Sequence, residues 1–338
     1  MRNFLLKDVN SFMIQFKSPL LVNLKIADVN CGIGSFSMAA QALGAKCVFA
    51  CEDDKFAGKV YQDNFGVVPV SDIQSIDPEE IPEHDILTGT LPYDSFDFRS
   101  GELKAGNGGV YSKIFDIIHA KHPKAVLLEI VNSPAKVHGE TIINTVEKSV
   151  KKCGYKVYAS ELNASDYGVP QQRKRLYIVA FRKDLGVKNY RFPKPVALQK
   201  YVKDILEPEE NIDEKKYVYD PGFVCKGNPD YYSRSPVKLG IIGKGGQGER
   251  VYSINGTAIT VTAKSGGKFR NTGGYYINGK LRRLTVRECA RLMGFPDSFQ
   301  LNCSETQAYK LLGNSVVVDV IEYILISMAE AMKKVDAI

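Results

Sequence analysis

The chain has 338 residues, and 44% of them are hydrophobic, enough to form one large domain and a smaller one with packed cores. Lys and Arg outnumber Asp and Glu by 45 to 38, which gives a formal net charge of +7. This excess favours an anionic partner. Basic proteins that bind no nucleic acid often carry a similar charge, so charge alone leaves the partner open.

The seven cysteines are odd in number, scattered, and without CxxC spacing. This pattern predicts reduced thiols in an intracellular protein and argues against a disulfide framework or a zinc site. No apolar run approaches the roughly 18 residues that span a bilayer, and the N-terminus has no signal-peptide pattern. We therefore expect a soluble, cytoplasmic protein with no bound metal and no membrane contact.

Short β-branched or apolar runs alternate with helical periods through the first half of the chain. Strands are predicted at 24–29, 47–51, 85–87, 125–129, 156–161 and 176–181. This alternation is typical of an α/β fold, a doubly wound and mostly parallel sheet with helices on both faces.

The composition of the chain changes after Lys183, where prolines and glycines become frequent and the alternation of predicted strands and helices stops. We predict a first domain over 1–185, a smaller loop-rich domain over 186–285, and C-terminal helices over 286–338. Helices are expected at 286–293 and 316–333, the last of them packing back on the first domain.

A glycine-rich turn follows the first predicted strand, in the sequence Asp28-Val29-Asn30-Cys31-Gly32-Ile33-Gly34-Ser35-Phe36. Such a turn brings backbone N–H groups close to a ligand at the carboxyl edge of a sheet. Glu52 ends the next strand, where a carboxylate can accept hydrogen bonds from ribose hydroxyls. Taken alone, the pattern fits NAD, FAD or S-adenosyl-L-methionine (AdoMet), and also a purely structural turn. It is not a Walker A loop.

Further motifs follow in order along almost the whole chain. They are Asn64-Phe65-Gly66, Asp72, the Gly89–Phe96 loop with Pro92, Glu129-Ile130-Val131, the 166–175 segment with Pro170-Gln171-Gln172-Arg173, the 239–250 segment, Arg287–Gly294, and Gly313-Asn314-Ser315-Val316. With the glycine turn, this series resembles the cytosine-5 DNA methyltransferase family. A structural coincidence of all of them in order is very improbable.

The resemblance implies a fold, a cofactor and a site. Family members flip a cytosine out of duplex DNA, attack its C6 with a thiolate and methylate C5 from AdoMet. By the resemblance Glu129 contacts the base ring, and Arg173 and Arg175 hold the base and its phosphate. For Gln171, a role in holding the backbone and a functional role are equally open. The implied cofactor-binding residues are Asp28, Gly32, Ile33, Gly34, Phe36, Glu52, Asp72, Ile73, Pro92, Asn314 and Ser315.

The nucleophile position departs from the family pattern. Tyr93 stands where the family has its catalytic cysteine, and Asp94 stands where it has glutamine. A phenol with a pKa near 10 is only about one part in a thousand ionised at neutral pH, and the neighbouring carboxylate disfavours the phenolate further. Ile130 also replaces an asparagine that helps to hold the loop. We expect methyl transfer to be lost or severely impaired.

Two further departures touch the cofactor site. Asn30 and Asp53 stand where a close relative in the family has aromatic residues that pack on AdoMet. Each lost stacking contact is worth about 1 kcal/mol, so we expect AdoMet binding to weaken by about tenfold or more.

The second domain keeps the features of a DNA-recognition surface. By the resemblance Arg250 reads a guanine, Gln247 fills the gap left by the flipped base, and glycines allow close backbone approach. The implied DNA-binding residues are Lys244, Gln247, Arg250, Tyr252, Thr260 and Lys264. The expected partner is double-stranded DNA near GCGC, bound by a monomer that is associated with the nucleoid of a bacterial-type cytoplasm.

Three hypotheses follow. The first is a catalytically silent or crippled homologue that still recognises duplex DNA. The second is an active methyltransferase of a restriction–modification system with an altered nucleophile loop. The third, a redox enzyme built on the Rossmann-like half, is opposed by the recognition loop and the Pro170–Arg175 motif. The segment from Asp97 to Tyr111 matches the family poorly, and its glycines suggest a mobile lid.

Overall fold

A six-stranded sheet forms the centre of the first half of the protein. The computed structural model describes residues 20–92, 96–97, 102–103, 109–131, 135–219, 222–264 and 266–338. The strands in this half are β1 (Lys25–Val29), β2 (Lys46–Cys51), β3 (Ile86–Pro92), β4 (Phe96–Asp97), β5 (Glu102–Leu103), β6 (Ala125–Val131), β7 (Tyr155–Asn163) and β8 (Lys174–Arg182). The short strands β4 and β5 pair only with each other.

The main sheet has the order β2-β1-β3-β6-β8-β7. β1, β2, β3 and β6 are parallel, whereas β8 runs antiparallel between β6 and β7. The helices of this half are α1 (Ser35–Ala42), α2 (Lys55–Phe65), α3 (Gly109–Lys121) and α4 (Ala135–Lys152). This arrangement confirms the predicted doubly wound, mostly parallel α/β fold.

Alternate residues of each central strand belong to different cores. Ile26 and Leu127 pack in the core that contains α1, whereas their neighbours Ala27 and Leu128 pack in the core that contains α3. Successive side chains of a strand point to opposite faces, so a sheet covered on both sides is apolar at consecutive positions. The carboxyl ends of β1, β3 and β6 consequently meet at one edge between the two helical layers.

The region after residue 186 is not only loops. It contains the helix α5 (Glu214–Tyr217) and five short strands: β9 (Val218–Tyr219), β10 (Lys238–Ile241), β11 (Arg250–Ser253), β12 (Gly274–Ile277) and β13 (Lys280–Arg283). They form a second sheet in the order β10-β11-β12-β13-β9. Asn278 and Gly279, both with positive φ, make the tight turn between β12 and β13. These strands are too short to show a clear alternating pattern in the sequence.

Three helices complete the fold: α6 (Val286–Leu292), α7 (Glu305–Asn314) and α8 (Val318–Lys333). α6 and α8 were predicted within two residues, whereas α7 was missed. Thr285 starts α6 with a capping box. The Thr285 Oγ1 accepts from the Glu288 N–H, and the Glu288 carboxylate accepts from the Thr285 N–H. α8 packs against α1 on one face of the main sheet.

One helical stretch among the described residues, Glu305–Lys333, is long and apolar enough to cross a membrane by length and composition. The stretch comprises α7, α8 and the residues between them, and it contains charged residues such as Asp319 and Glu322, so it is not an uninterrupted apolar run. In the fold, 83% of its most apolar window is buried inside the protein. The burial is that of a core helix.

Candidate functional site

The glycine turn lies between β1 and α1, where two glycines serve different purposes. Gly34 has φ +94, and a Cβ placed there would lie 2.2 Å from the ring of Phe65, so this position requires glycine. Gly32 has φ +58, and a Cβ there would meet no described atom within 4 Å. Gly32 therefore borders open space into which a ligand fits. The side chains of Ile33 and Phe36 are instead buried in the apolar core.

Asp28 supports this turn from beneath. Its carboxylate is fully buried and accepts from the Ser37 Oγ at 2.7 Å, the Ser37 N–H at 3.2 Å and the Thr88 Oγ1 at 3.1 Å. Burial raises the pKa of Asp28 to about 7, against these hydrogen bonds, which lower it. The structure thus places Asp28 below the turn and not in contact with the open space, and its contribution is to position α1.

Glu52 closes the turn from the neighbouring strand. Its two carboxylate oxygens accept from the Gly32 N–H at 2.7 Å and from the Asp54 N–H at 2.9 Å. Burial raises the pKa of Glu52. Each carboxylate oxygen can accept a second hydrogen bond, so Glu52 remains able to bind a ribose hydroxyl beside Gly32.

The next part of the rim carries two acidic residues. Asp72 is exposed and caps a 3₁₀ turn at Ile73–Ser75 by accepting from the Gln74 N–H at 2.8 Å, while the Ile73 side chain is buried. Desolvation, followed by the negative charge of Asp72, raises the pKa of Asp53. The rim therefore has a carboxylate at Asp53, where a close relative in the family has an aromatic residue, and a second carboxylate at Asp72 whose charge contributes to the raised pKa.

The chain returns to the glycine turn at its C-terminal end. The hydroxyls of Ser315 and Ser35 lie 2.7 Å apart, and the Ser35 Oγ also donates to the Val316 carbonyl at 2.8 Å. Asn314, the last residue of α7, is exposed. Ser315 thus contributes to the site by fixing the first residue of α1.

The arrangement of Gly32 and Glu52 fits AdoMet at the ribose, because an open glycine turn and a buried carboxylate face the same space. Asn30 stands where a close relative in the family has an aromatic residue that packs on AdoMet. Its backbone is left-handed, with φ +55, and its Nδ2 donates to the Thr90 Oγ1 at 2.8 Å and to the Thr90 carbonyl at 3.1 Å. The amide is therefore engaged with β3.

Glu129 is the most unusual side chain at the sheet edge. It lies on β6, is 0% exposed, and within the described residues neither of its carboxylate oxygens has a hydrogen-bond partner. Burial raises its pKa, and the charges of Arg175 and Arg173 oppose this shift. The Arg175 Nε lies 3.7 Å from the Glu129 Oε1, within ion-pair distance. A buried carboxyl group without hydrogen bonds is strongly destabilising unless a ligand supplies them.

Arg173, predicted with Arg175 to hold the base and its phosphate, also makes several contacts with the backbone. Its guanidinium is buried and donates from Nη1 to the Val261 carbonyl at 2.9 Å. Its Nη2 donates to the carbonyls of Gly313 and Ser315 at 3.1 and 2.5 Å. Burial, and then the nearby charge of Arg175, lower its pKa to about 9. Both Nη atoms bind backbone carbonyls, so Arg173 joins three segments of the chain, whereas its buried Nε has no hydrogen-bond partner among the described residues.

Gln171 has the backbone-holding role that the sequence left open. Its Nε2 donates to the Leu292 carbonyl at 2.8 Å and its Oε1 accepts from the Val261 N–H at 2.9 Å. Sequence reasoning missed Ser37, Thr88 and Thr90, which hold the turn. The only signal for the two threonines was their alternate spacing on one strand.

The predicted nucleophile position follows this site directly. Pro92 is the last residue of β3, where its backbone pairs with Val131. Tyr93, Asp94 and the side chain of Pro92 lie outside the described residues.

The candidate recognition residues lie mainly on a glycine-rich turn and the segment facing it. Lys244, Arg250 and Lys264 are exposed, and the Arg250 Nε donates to the Gly245 carbonyl at 3.2 Å. Gln247 donates from Nε2 to the Thr260 carbonyl at 3.3 Å, and Thr260 in turn donates to the Gln172 carbonyl at 2.6 Å. The turn is therefore tied to the segment before β8.

Tyr252 is a correction to the predicted DNA-binding set. It is 5% exposed and packs in the main core, with its ring centroid 6.1 Å from that of Tyr275. Its neighbour Val251 is also buried, in a different core cluster, so β11 is covered on both faces at this point of the strand. The Tyr252 ring supports the recognition surface from within.

Comparison with known proteins agrees with this geometry. The profile of C-5 cytosine-specific DNA methylases matches residues 24–330. The type II methyltransferase M.HhaI of Haemophilus parahaemolyticus is 41% identical over 325 residues, covering 95% of this chain and 98% of that protein. M.HaeII of Haemophilus aegyptius is 34% identical over 314 residues, covering 91% and 93%.

Solved structures share the fold at low identity. The crystal structure of DNMT2 from Spodoptera frugiperda has a TM-score of 0.68 at 22% identity, covering 90% of this chain and 99% of that one. The Dnmt2 methyltransferase of S. pombe has a TM-score of 0.64 at 20% identity, covering 90% and 98%.

Proposed function

The chain belongs to the C-5 cytosine-specific DNA methylase family, and from that premise we propose that it binds duplex DNA and receives an extruded cytosine at Glu129, with methyl transfer lost or severely impaired. The family acts on double-stranded DNA and uses AdoMet. The observation that carries the proposal is the buried Glu129 carboxyl group, which lacks hydrogen bonds among the described residues. The edge of a cytosine offers the donor and acceptor that would satisfy both oxygens.

The base pocket has a defined protonation logic. Because burial raises the pKa of Glu129, a protonated carboxyl can donate to the ring nitrogen N3 while its other oxygen accepts from the N4 amino group. The charge of Arg175 opposes this shift, so the ring nitrogen and the arginine compete for the same carboxyl. AdoMet, when bound beside Gly32 and Glu52, supplies an electrophilic methyl group.

The proposed loss of catalysis rests on the missing thiol. Addition to C6 requires a nucleophile at position 93, and a phenol at neutral pH is about one part in a thousand ionised. No described cysteine is suited to replace it. The nearest in role, Cys31 in the glycine turn, is 4% exposed, and burial, followed by the charges of Asp28 and Glu52, raises its pKa well above the ordinary value.

We propose that target recognition is retained near GCGC. The exposed Arg250 and the half-buried Gln247 lie on one turn, and Gln247 joins this turn to Thr260 by a hydrogen bond. A bidentate arginine contact to guanine discriminates by about 1–3 kcal/mol against a wrong base. The 41% identity to M.HhaI over almost the whole chain supports a related target. We also propose that AdoMet binding is weakened by Asn30 and Asp53.

The test combines binding with chemistry on one preparation. Gel shift of GCGC duplex against a scrambled duplex, at fixed salt, measures recognition, and a duplex with 5-fluorocytosine at the target traps any covalent adduct. We expect specific binding without adduct and without methylation by bisulfite sequencing. Equal binding of both duplexes would refute target recognition, whereas efficient methylation would refute the proposed loss and favour an active enzyme with an altered nucleophile loop.

A further inference from the structure

A second pocket lies between the recognition segment and α7, lined by none of the residues of the Glu129 site. Its volume is about 570 Å³. Four basic side chains and one acidic side chain line it, together with neutral residues: Lys264, Arg270, Arg283, Lys310 and Glu305. The walls are therefore predominantly positive.

Two of these cations are already neutralised and two are not. The Arg283 Nη2 lies 3.1 Å from Glu305, and Lys310 lies 2.8 Å from Asp54. Lys264 and Arg270 are exposed, and among the described residues neither forms an ion pair. The pocket thus presents uncompensated positive charge at its mouth.

Two residues of the pocket lining carry polar atoms with unused hydrogen-bonding capacity. The Arg283 Nε and the Gln307 Oε1 are buried and lack hydrogen-bond partners within the described part of the chain. The uncompensated cations at the mouth match the oxygens of a phosphate group.

The pocket is continuous with the recognition turn. A Cβ on Gly248 would lie 2.1 Å from the carbonyl oxygen of Gly266, which lines the pocket, and the Phe269 N–H donates to the Gly248 carbonyl at 2.8 Å. A duplex seated on Gln247 and Arg250 would pass its backbone across this mouth. The position therefore favours a backbone phosphate over a free one.

We propose that this pocket binds a phosphate group, supplied by the backbone of the bound duplex and held by Arg270 with Lys264. The choice of duplex as the source rests on the proposed function. A free phosphate ligand shares the same chemistry, so the experiment has one arm for each source.

The duplex arm measures the salt dependence of binding for wild type, Arg270→Gln and Arg270→Lys. Loss of one phosphate contact should make the slope of log K against log salt shallower by about 0.9, and the lysine variant should retain the wild-type slope. Lys268→Gln is the matched control, because Lys268 lies on the same loop but stacks over the ring of Tyr219 at 4.7 Å. It should retain nearly the wild-type slope.

The second arm titrates inorganic pyrophosphate into the same variants by calorimetry. Binding that depends on Arg270 in this arm, with no change of slope in the duplex arm, would assign the pocket to free phosphate. If Arg270→Gln equals Lys268→Gln in both arms, the inference is overturned while the proposed function stands. If wild type binds no duplex at all, the proposed function fails and the pyrophosphate arm alone decides the pocket.

Discussion

Thr90 on β3 and Glu129 on β6 are register partners in the parallel part of the main sheet. The Thr90 Oγ1 also donates to the Asn30 carbonyl at 3.0 Å, so one row across three strands joins the glycine turn to the base pocket. Tyr93 follows Thr90 by three residues. The predicted nucleophile position therefore comes directly after the strand that carries this row.

Tyr93→Cys should restore a covalent adduct with a 5-fluorocytosine duplex. A thiol of ordinary pKa is a few per cent ionised at neutral pH and is a better nucleophile than a phenol, so we expect adduct yield to rise by about 100-fold or more. Denaturing gel electrophoresis measures the adduct, and Tyr93→Ser is the control for simple relief of bulk. Equal yields from the serine variant and the cysteine variant would contradict the missing-thiol explanation.

Alanine substitution should separate the two glycines of the turn. Gly34→Ala places a Cβ 2.2 Å from the Phe65 ring and should lower the free energy of unfolding by about 2 kcal/mol or more. Gly32→Ala meets no such neighbour, so only its left-handed backbone should cost stability, about 1 kcal/mol. Its larger effect should be on AdoMet binding, measured by calorimetry. A normal AdoMet affinity in Gly32→Ala would exclude the cofactor from this space.

Asp53→Trp should strengthen AdoMet binding. The substitution removes the repulsion between Asp53 and Asp72 and adds an aromatic face, worth about 1 kcal/mol or more, so the Kd should fall by about tenfold. Calorimetric titration of AdoMet provides the measurement. Asp53→Asn is the control, because it removes the charge without adding a ring. A weaker affinity of the tryptophan variant than of wild type would contradict the proposed weakening.

Arg173→Met should destabilise the protein strongly. It leaves the carbonyls of Val261, Gly313 and Ser315 without their donor, and each buried unpaired group costs about 1–3 kcal/mol. Lys174→Gln is the neighbouring control, since Lys174 makes only an exposed ion pair with Glu161 at 3.5 Å and should change stability by under about 0.5 kcal/mol. Chemical denaturation measures both. Equal free energies of unfolding for the two variants would contradict the stabilising role of the Arg173 hydrogen bonds.

Stability should fall as pH rises from about 5 to 9. Burial raises the pKa of Glu322 from 4.5 to about 8 and that of Asp319 to about 7. Folding therefore favours the protonated forms, so their stabilisation is complete below the ordinary pKa and is lost through the raised one.

Glu322→Gln should flatten this decline and raise the free energy of unfolding at pH 9 by on the order of 2 kcal/mol. Denaturant unfolding at pH 5, 7 and 9 measures it. The exposed Glu330→Gln on the same helix is the control and should leave the pH dependence unchanged. A wild-type curve that is flat over this range would contradict the raised pKa values.

The elements of the main sheet were predictable because their strands are covered on both faces. β1 and β6 then appear as mostly apolar runs, interrupted by Asp28 and Glu129 near their carboxyl ends, and the left-handed glycines mark where β1 ends. The strands of the second sheet have two to four residues, too few to show a period. α7 was missed for a different reason, since its Ser304 cap precedes a mostly polar first turn.

The sequence predicted where the residues of the candidate site lie along the chain, but not the direction in which each side chain points. The resemblance to the family assigned Arg173 and Arg175 to the base and its phosphate, yet only the packed structure shows that Arg173 also donates to three carbonyls distant in sequence. Tyr252 was among the predicted DNA-binding residues, but it packs in the main core although the two-residue period places it on the same strand face as the exposed Arg250. Side-chain direction depends on contacts between segments far apart in sequence.

A Cβ on Gly248 would lie 2.1 Å from the Gly266 carbonyl oxygen, and a Cβ on Gly267 would lie 2.7 Å from the Gly248 carbonyl oxygen. The two loops therefore fit against each other only with glycine at positions 248 and 267. On the proposed function, a new target sequence is expected to arise by exchanging both loops together, or by altering single side chains on an unaltered backbone. Libraries that graft only one loop from another relative should yield misfolded surfaces and not new specificities.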